Sequence, residues 1–184
     1  RGYTMGAFRI EDLPHYTYDD YEIWEGKWEL IEGIPYSMAP SPMFEHQNIS
    51  ANISFELKSI LKNCKECTSV LAVDWKISDD TVVCPDNSVV CQEIKTHFIE
   101  DAPTLIFEVL SPSTKKKDRT LKYNIFQEQG VKYYVLVEPK GNFAEVYELE
   151  NGFYKLKGEF TDEVYSFDLN GCKIDFSFAN IFEG

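Results

Sequence analysis

The sequence predicts a single α/β (α+β) domain in which a mixed central sheet is flanked by helices. Short apolar runs such as TLIFEVLS and VKYYVLVEP are typical of buried strands. They alternate with segments such as HQNISANISFELKSILKN, whose apolar residues recur at helical spacing. A length of 184 residues suits one domain with one core. We expect that domain to span residues 1–184, with residues 1–4 as an artificial extension before Met5.

The N-terminal half predicts a helix, a hairpin, a second helix and two strands. YTYDDYEIWEG is typical of a short helix with Thr17 as its cap and Gly26 as its stop. WELIEGIPYSMAPSP predicts a hairpin with Glu32 and Gly33 at the turn. The amphipathic helix HQNISANISFELKSILKN follows. VLAVDWKI and VVCPDNSVV then predict two strands around the turn SDDT.

The C-terminal half predicts a strand, a helix, a strand and a β meander. TLIFEVLS is the third strand of its block, and KKKDRTLKYNIFQEQG predicts a helix that ends before Gly130. VKYYVLVEP predicts another buried strand. AEVYELE and FYKLKGEF, separated by an NG turn, predict the meander.

The composition, with 43% hydrophobic and 27% charged residues, is typical of a soluble globular protein. No apolar run approaches the ~20 residues that a membrane-spanning helix needs, and RGYTMGAF contains no apolar signal-peptide core. We therefore expect a cytoplasmic protein that does not contact membranes. The five cysteines, an odd number, predict reduced thiols. The pair in CKEC lacks the second pair of ligands that a zinc site needs.

Two successive apolar strands each carry one acid, Asp86 after Pro85 and Glu108 inside FEVLS. A buried carboxylate is costly unless it is paired, protonated or bound to a metal. If the two strands are neighbours, as sequential strands usually are, both acids can converge on Mg²⁺ or Mn²⁺. The ordinary alternatives are a turn cap for Asp86 and a neutralised core acid for Glu108.

Five segments stand in one order along the chain: ELIEG, SPMFEHQ, VVCPD, FEVLSPST and DRTLKY. The PD dipeptide, followed by an acid on the next strand, resembles the PD-(D/E)xK nuclease superfamily. The five segments together resemble its Uma-two branch of restriction endonucleases, from about Tyr18 to Pro139. This resemblance implies a restriction-endonuclease-like core, with an N-terminal helix and hairpin and a C-terminal β meander. It also implies that a metal-activated water hydrolyses a phosphodiester of nucleic acid.

Carried over position by position, the resemblance implies that Asp86 and Glu108 hold Mg²⁺ or Mn²⁺, with the main-chain carbonyl of Val109 as a further ligand. Glu29, the acid of ELIEG, would reach the same site directly or through water. The chain departs from the superfamily pattern at Leu110, which stands where the pattern has a lysine. Alternate strand residues share a face, so this position reaches the site, but leucine supplies no charge.

The resemblance to the Uma-two branch implies that the catalytic lysine comes from the next helix instead. There DRTLKY matches the spacing of that branch: an acid, three residues and a lysine. Lys122 is therefore the expected catalytic lysine, which would orient the attacking water and stabilise charge on the phosphate. The ordinary alternative is a lysine on a solvated helix face.

The remaining candidates would bind the substrate. His46, at a helix start in SPMFEHQ, would contact phosphate, or pack and cap the helix. Lys115, Lys116, Lys117 and Arg119 form a basic stretch where a helix begins, which is unfavourable for the helix dipole and so favours phosphate contact over a merely solvated stretch. Such a field acts over ~8 Å, so it is compatible with a net charge of −13.

Two functions of different classes follow. The first is a Mg²⁺- or Mn²⁺-dependent endonuclease on DNA, acting as a homodimer because paired sites cut two strands. The alternative is a catalytically inactive nuclease-fold module that binds nucleic acid or protein. Asp86, Glu108 and Lys122 favour the enzyme, whereas Leu110 and the negative charge favour the module. A hydrolase of another phosphoester would use the same residues.

Overall fold

The computed structural model describes residues 13–38 and 43–183. The expected extension at residues 1–4 and the first two residues of SPMFEHQ lie outside these ranges. The helices of the described part are α1 (Tyr18–Tyr21), α2 (Phe44–Ile60), α3 (Lys115–Lys117), α4 (Tyr123–Glu128) and α5 (Ala179–Phe182). A π-helical segment, Asp118–Lys122, joins α3 to α4.

The strands, in chain order, are β1 (Trp28–Ile31), β2 (Ile34–Ser37), β3 (Thr68–Leu71), β4 (Trp75–Ser78), β5 (Thr81–Val83), β6 (Asn87–Val90), β7 (Leu105–Val109), β8 (Tyr133–Glu138), β9 (Phe143–Glu150), β10 (Phe153–Phe160), β11 (Val164–Leu169) and β12 (Cys172–Ser177). They form a six-stranded sheet of order β10-β9-β8-β7-β6-β3, a four-stranded sheet of order β2-β1-β5-β4 and the hairpin β11-β12. The six-stranded sheet is mixed, since only β7 and β8 pair in parallel. The predicted mixed α/β (α+β) architecture is confirmed.

The N-terminal hairpin follows the prediction, but the helix before it is shorter than predicted. Ile31 pairs with Ile34, and the two turn residues between them, Glu32 and Gly33, have φ of 51° and 74°. Two left-handed residues are the signature of a type I′ hairpin. Helix α1 ends at Tyr21 rather than near Gly26. The Tyr21 hydroxyl lies 3.1 Å from the Trp28 carbonyl, a contact that places the helix end beside β1.

The predicted strands VLAVDWKI and VVCPDNSVV each divide into two, which corrects the sequence-based expectation. The start of the first segment, β3, pairs with the end of the second, β6, in the large sheet. The remaining parts, β4 and β5, form a hairpin in the small sheet. Pro85 has no amide hydrogen to continue a ladder, and Ala72 on the other strand has a φ of 48°. The Ala72 amide donates to the Asp86 carbonyl over 3.0 Å. Asp86 therefore lies where the chain passes from one sheet to the other.

The large sheet is covered on both faces, and β7 contributes alternate residues to each. Phe107 packs in the core that includes α2 and the β11-β12 hairpin. Ile106 and Leu110 pack in the opposite core, with Phe126 of α4. Alternate residues of a strand share a face, so the Glu108 side chain lies on the same face of the sheet as Ile106 and Leu110, the face covered by α4. Leu110 is a core side chain there.

The cysteines depart from the expectation of reduced thiols. Cys64 is bonded to Cys172 and Cys67 to Cys91, and Cys84 is the free cysteine of the described residues. Thr68 pairs with Val90, so the second disulfide continues the β3-β6 ladder. The first joins the turn that follows α2 to β12. Both cysteines of CKEC are therefore engaged in disulfides.

Reduction is expected to lower the melting temperature by about 10 °C or more, because each disulfide closes a chain loop and removal of a native disulfide costs about 2–5 kcal/mol. Differential scanning fluorimetry with and without a phosphine reductant measures the shift. Alkylation in denaturant without reductant should modify Cys84 alone. Modification of all five cysteines in that control would instead support the original expectation of reduced thiols.

Candidate active site

The two acids on neighbouring strands meet at the junction of the sheets. Antiparallel pairing places Asn87 opposite Phe107, and continuing that register by one residue places Asp86 opposite Glu108. Asp86 Oδ2 accepts the Val109 amide over 2.8 Å, which fixes its carboxylate against the end of β7. Asp86 is half-buried, while Glu108 is 3% exposed. The acids therefore share one cleft, with Asp86 nearer the solvent.

Lys122 lies at the centre of the cleft, bonded to acids from three elements. Its Nζ lies 2.6 Å from Glu108 Oε1, 2.7 Å from Glu29 Oε1 and 3.8 Å from Asp118 Oδ1. All four side chains are almost entirely buried. The expectation of a solvated lysine is thus excluded, because an unpaired ammonium is too costly to bury and this one is paired three times.

Glu29 is held from two further directions. Its carboxylate accepts the Cys84 amide over 3.0 Å and forms an ion pair with Lys117. The sequence placed Glu29 at the metal directly or through water. The structure brings it to Lys122 and Lys117, so its immediate chemistry is to hold cationic side chains.

Asp118 is a member of the cluster to which the sequence analysis gave no role. The π-helical segment widens the helix at Asp118–Lys122, a local distortion that is frequent at functional sites. Asp118 and Lys122 remain on one face, and the Asp118 carbonyl accepts the Tyr134 hydroxyl over 3.0 Å. The acid–xxx–Lys spacing in DRTLKY was the available signal, since residues four apart share a helix face.

Protonation in the cluster follows from burial and from the surrounding charges. Burial raises the pKa of Glu108 well above its usual range, and the carboxylates of Asp86 and Asp118 act in the same direction, against Lys122. Burial opposes the positive charge on Lys122, but Glu108 and Glu29 raise its pKa well above the usual value. The pKa of Glu29 is lowered, since Lys122 and Lys117 outweigh its burial. Burial raises the pKa of Asp118 as well. One lysine cannot neutralise every acid, and Glu108 and Asp118 are the acids left needing a cation or a proton.

His46 lies on the Asp86 side of the cleft. Its Nε2 is 3.3 Å from Asp86 Oδ2, and its buried Nδ1 has no hydrogen-bond partner among the described residues. Burial opposes its protonation, but the Asp86 carboxylate and the main chain of Val109 raise the pKa of His46. The imidazole therefore contacts the predicted metal ligands themselves.

The donor atoms fit a hard divalent cation. Within residues 13–38 and 43–183, no group of three or more His, Cys, Asp or Glu side chains is arranged to hold a metal ion. Two carboxylates, Asp86 and Glu108, and the Val109 carbonyl would then be the protein ligands, a small oxygen set of the kind that Mg²⁺ completes with water and substrate phosphate. The cluster has more acids than lysines, and this excess of negative charge favours cation binding. In addition, the buried Asp118 Oδ1 accepts no hydrogen bond from any described residue.

The basic stretch is largely neutralised by acids. Lys115 pairs with Glu138 at 2.5 Å and Arg119 with Glu145 at 2.6 Å, while Lys117 pairs with Glu29. Lys116 is exposed and forms no ion pair with any described residue. The stretch is consequently a weaker phosphate-binding surface than its sequence indicates.

The fold and the acidic cleft define a domain of the restriction-endonuclease-like class. Among solved structures, the chain is similar to a protein of Anabaena variabilis described as "a putative nuclease belonging to DUF820", with a TM-score of 0.71, 19% identity, and coverage of 90% of this chain and 97% of that one. That likeness shows the shared fold. The Uma2 family, described as "Putative restriction endonuclease", matches residues 18–171. The chain therefore belongs to the Uma2 family, which confirms the resemblance in the sequence. No curated protein matches it.

Lys122→Met should lower the free energy of unfolding by about 3–5 kcal/mol, because Glu29, Glu108 and Asp118 would lose their shared buried cation. Urea denaturation at neutral pH measures the change. Adding Glu108→Gln to Lys122→Met should restore part of the loss by removing one buried charge. The matched control is Lys116→Met on the same helical run, where the exposed side chain should contribute less than ~0.5 kcal/mol. Equal effects of the two lysine variants would contradict the cluster.

Proposed function

We propose that this protein is a nuclease that hydrolyses phosphodiester bonds of DNA with Mg²⁺ or Mn²⁺. One observation carries the proposal: two acids on adjacent strands face a common cleft with a buried lysine, Lys122, whose Nζ is 2.6 Å from Glu108. Membership of a family described as "Putative restriction endonuclease" supports the same class of reaction.

Asp86 and Glu108 would hold the cation together with the Val109 carbonyl. A bound Mg²⁺ or Mn²⁺ would lower the pKa of a coordinated water and polarise the phosphate. Asp86 is the half-buried acid, so its carboxylate faces the side from which substrate enters. The amide of Val109 and the ring of His46 keep that carboxylate in place.

Lys122 would orient the attacking water and stabilise the negative charge that develops on the phosphate. A preorganised ammonium can do this without reorganising during the reaction. Glu29 and Asp118 hold the ammonium in position and keep it charged. We therefore assign Glu29 and Asp118 to the positioning of Lys122, and propose His46 and Lys116 as contacts to substrate phosphate.

The alternative is a catalytically inactive module of the same fold. It is favoured by the burial of Lys122 in three ion pairs and by the neutralised basic stretch, of which Lys115 and Arg119 are members. Under that alternative the cluster would be a structural ion-pair network, which also perturbs pKa values. Measurements of cleavage and of metal binding separate the two functions.

Asp86→Asn should reduce nicking of supercoiled plasmid by about a hundredfold or more, because it removes a ligand charge and preserves the side-chain shape. The assay compares Mg²⁺, Mn²⁺ and EDTA at low salt, since weak phosphate contacts make binding sensitive to salt. Asp79→Asn is the control, with the same substitution at an exposed acid outside the cleft. Metal-dependent nicking lost only in Asp86→Asn supports the enzyme. Nicking that persists in Asp86→Asn would contradict these roles.

Mn²⁺ should raise the melting temperature of the wild type and leave that of Asp86→Asn nearly unchanged, because a ligand that binds only the folded state stabilises it. Scanning calorimetry in a non-chelating buffer measures both shifts. A wild type that binds Mn²⁺ yet never nicks DNA would favour the inactive module. A wild type that Mn²⁺ does not stabilise would argue against the ligand set.

The assembly and the cellular location are separate proposals. We propose a homodimer because two sites can cut both strands, and sedimentation equilibrium would then give twice the chain mass of 21.3 kDa. No helix in the described part of the chain is long and apolar enough to cross a membrane. A cytoplasmic location is proposed from the sequence. The disulfides bear against it, since disulfides are rare in the cytosol, and cysteine alkylation of protein taken directly from cells is its test.

A further inference from the structure

A pocket of about 270 Å³ opens beside β1, outside the acidic cleft. We call it the aromatic pocket. Its wall includes five aromatic side chains and an acid: Tyr18, Tyr21, Trp24, Trp28, Phe98 and Asp74. A neighbouring depression of about 400 Å³ shares Trp24 and Trp28 with it. The two volumes are of the order of ordinary ligand sites, ~300–1,000 Å³.

The rings of the aromatic pocket form an unbroken series. Centroids are 5.6 Å apart for Phe98 and Tyr18, 6.1 Å for Tyr18 and Tyr21, 5.7 Å for Tyr21 and Trp24, and 5.8 Å for Trp24 and Trp28. All five side chains are only half-buried. Aromatic rings assembled for packing alone close on one another to interior density. These rings surround an open space and keep surface available to a ligand.

The carboxylates of the pocket are Asp74 and Glu22, and its wall also holds the His97 imidazole, whose Nε2 lies 3.3 Å from the Tyr18 hydroxyl. Asp74 Oδ2 accepts the Tyr21 hydroxyl over 2.9 Å, and no hydrogen bond within the described residues uses Asp74 Oδ1. Glu22 lies exposed at the rim. Lys76 Nζ, the nearby ammonium, lies 4.2 Å from the Tyr18 ring centre and pairs with Asp79 at 2.9 Å. Carboxylates beside aromatic faces repel phosphate and favour a flat ring that carries N–H donors.

The aromatic pocket and the acidic cleft lie on opposite faces of β1. Trp28 lines the pocket, whereas the side chain of the next residue, Glu29, points into the cleft, because consecutive strand residues alternate between faces. Cys84 lies between the two, since its amide donates to Glu29. Burial raises the pKa of its thiol, and the charges of Asp74 and Glu29 act in the same direction from the pocket and from the cleft. A DNA strand with a base in the pocket would therefore have to pass around the small sheet to place a phosphate in the cleft.

We infer that the aromatic pocket binds an unpaired nucleobase of the DNA strand, stacked on Trp24 and donating its exocyclic amino group to Asp74. This inference rests on the proposed function and specifies its substrate class: DNA with a single-stranded segment. Base stacking on aromatic rings contributes affinity that does not depend on positive charge, which suits a chain of net charge −13. Cytosine, whose amino group pairs with a carboxylate, is accommodated better than thymine.

Fluorescence anisotropy with labelled deoxycytidine and thymidine homopolymers, in EDTA and at low salt, tests the pocket without any cleavage. The wild type should bind the deoxycytidine strand several-fold more tightly than the thymidine strand, and a duplex of equal length more weakly than either. Trp24→Ala should weaken binding of both strands by about five- to a hundredfold, the loss expected for one stacked base. Trp24→Phe keeps a ring and should keep most of the affinity.

Two further variants make the test specific. Asp74→Asn preserves an acceptor for Tyr21 and should reduce the preference for deoxycytidine, with little change for thymidine. Phe153→Ala removes an exposed aromatic side chain of β10 and should change neither affinity. Wild-type affinity in Trp24→Ala would overturn the inference, as would the absence of strand binding in the wild type. Binding of tetramethylammonium in place of the strands would identify a cation cage and overturn it also. Since EDTA prevents metal-dependent cleavage, a failure of the proposed hydrolysis leaves these results unaffected.

Discussion

The buried ion pairs of Lys122 are the constraint on which the rest of the site depends. One ammonium holds Glu108 from β7, Glu29 from β1 and Asp118 from its own helical run, so it joins the large sheet, the small sheet and the helix. Buried charges cost several kcal/mol each unless their partners are well placed. The three elements can therefore approach only in the arrangement that satisfies this lysine, which is also the arrangement that forms the cleft.

That arrangement leaves the cluster negative, and the excess charge connects stability with the proposed chemistry. Lys122 keeps Glu29 ionised with the help of Lys117, whereas the pKa of Glu108 is raised by its burial and by the nearby acids. A cation between Asp86 and Glu108 would relieve this repulsion. A site of this kind gives up some stability in the absence of the cation in return for affinity when the cation binds.

The charge distribution also separates two ways of holding DNA. The lysines and the arginine of the basic stretch are mostly paired with acids, so they contribute little to general attraction for phosphate. The aromatic pocket offers a contact that does not depend on positive charge. Under the proposed function, a protein of net charge −13 would thereby be directed to DNA strands whose bases are accessible.

Local patterns along the chain were sufficient to predict most elements, the order of the motifs and the acids Asp86 and Glu108, because periodicity and turn residues act over a few positions. Tertiary structure alone decided which partners these residues meet. The division of VLAVDWKI and VVCPDNSVV between two sheets, the disulfides and the burial of Lys122 depend on residues far apart in sequence. The place of Asp118 in the cluster also depends on tertiary structure. Packing buries its carboxylate, and the π-helical segment places that carboxylate beside Lys122.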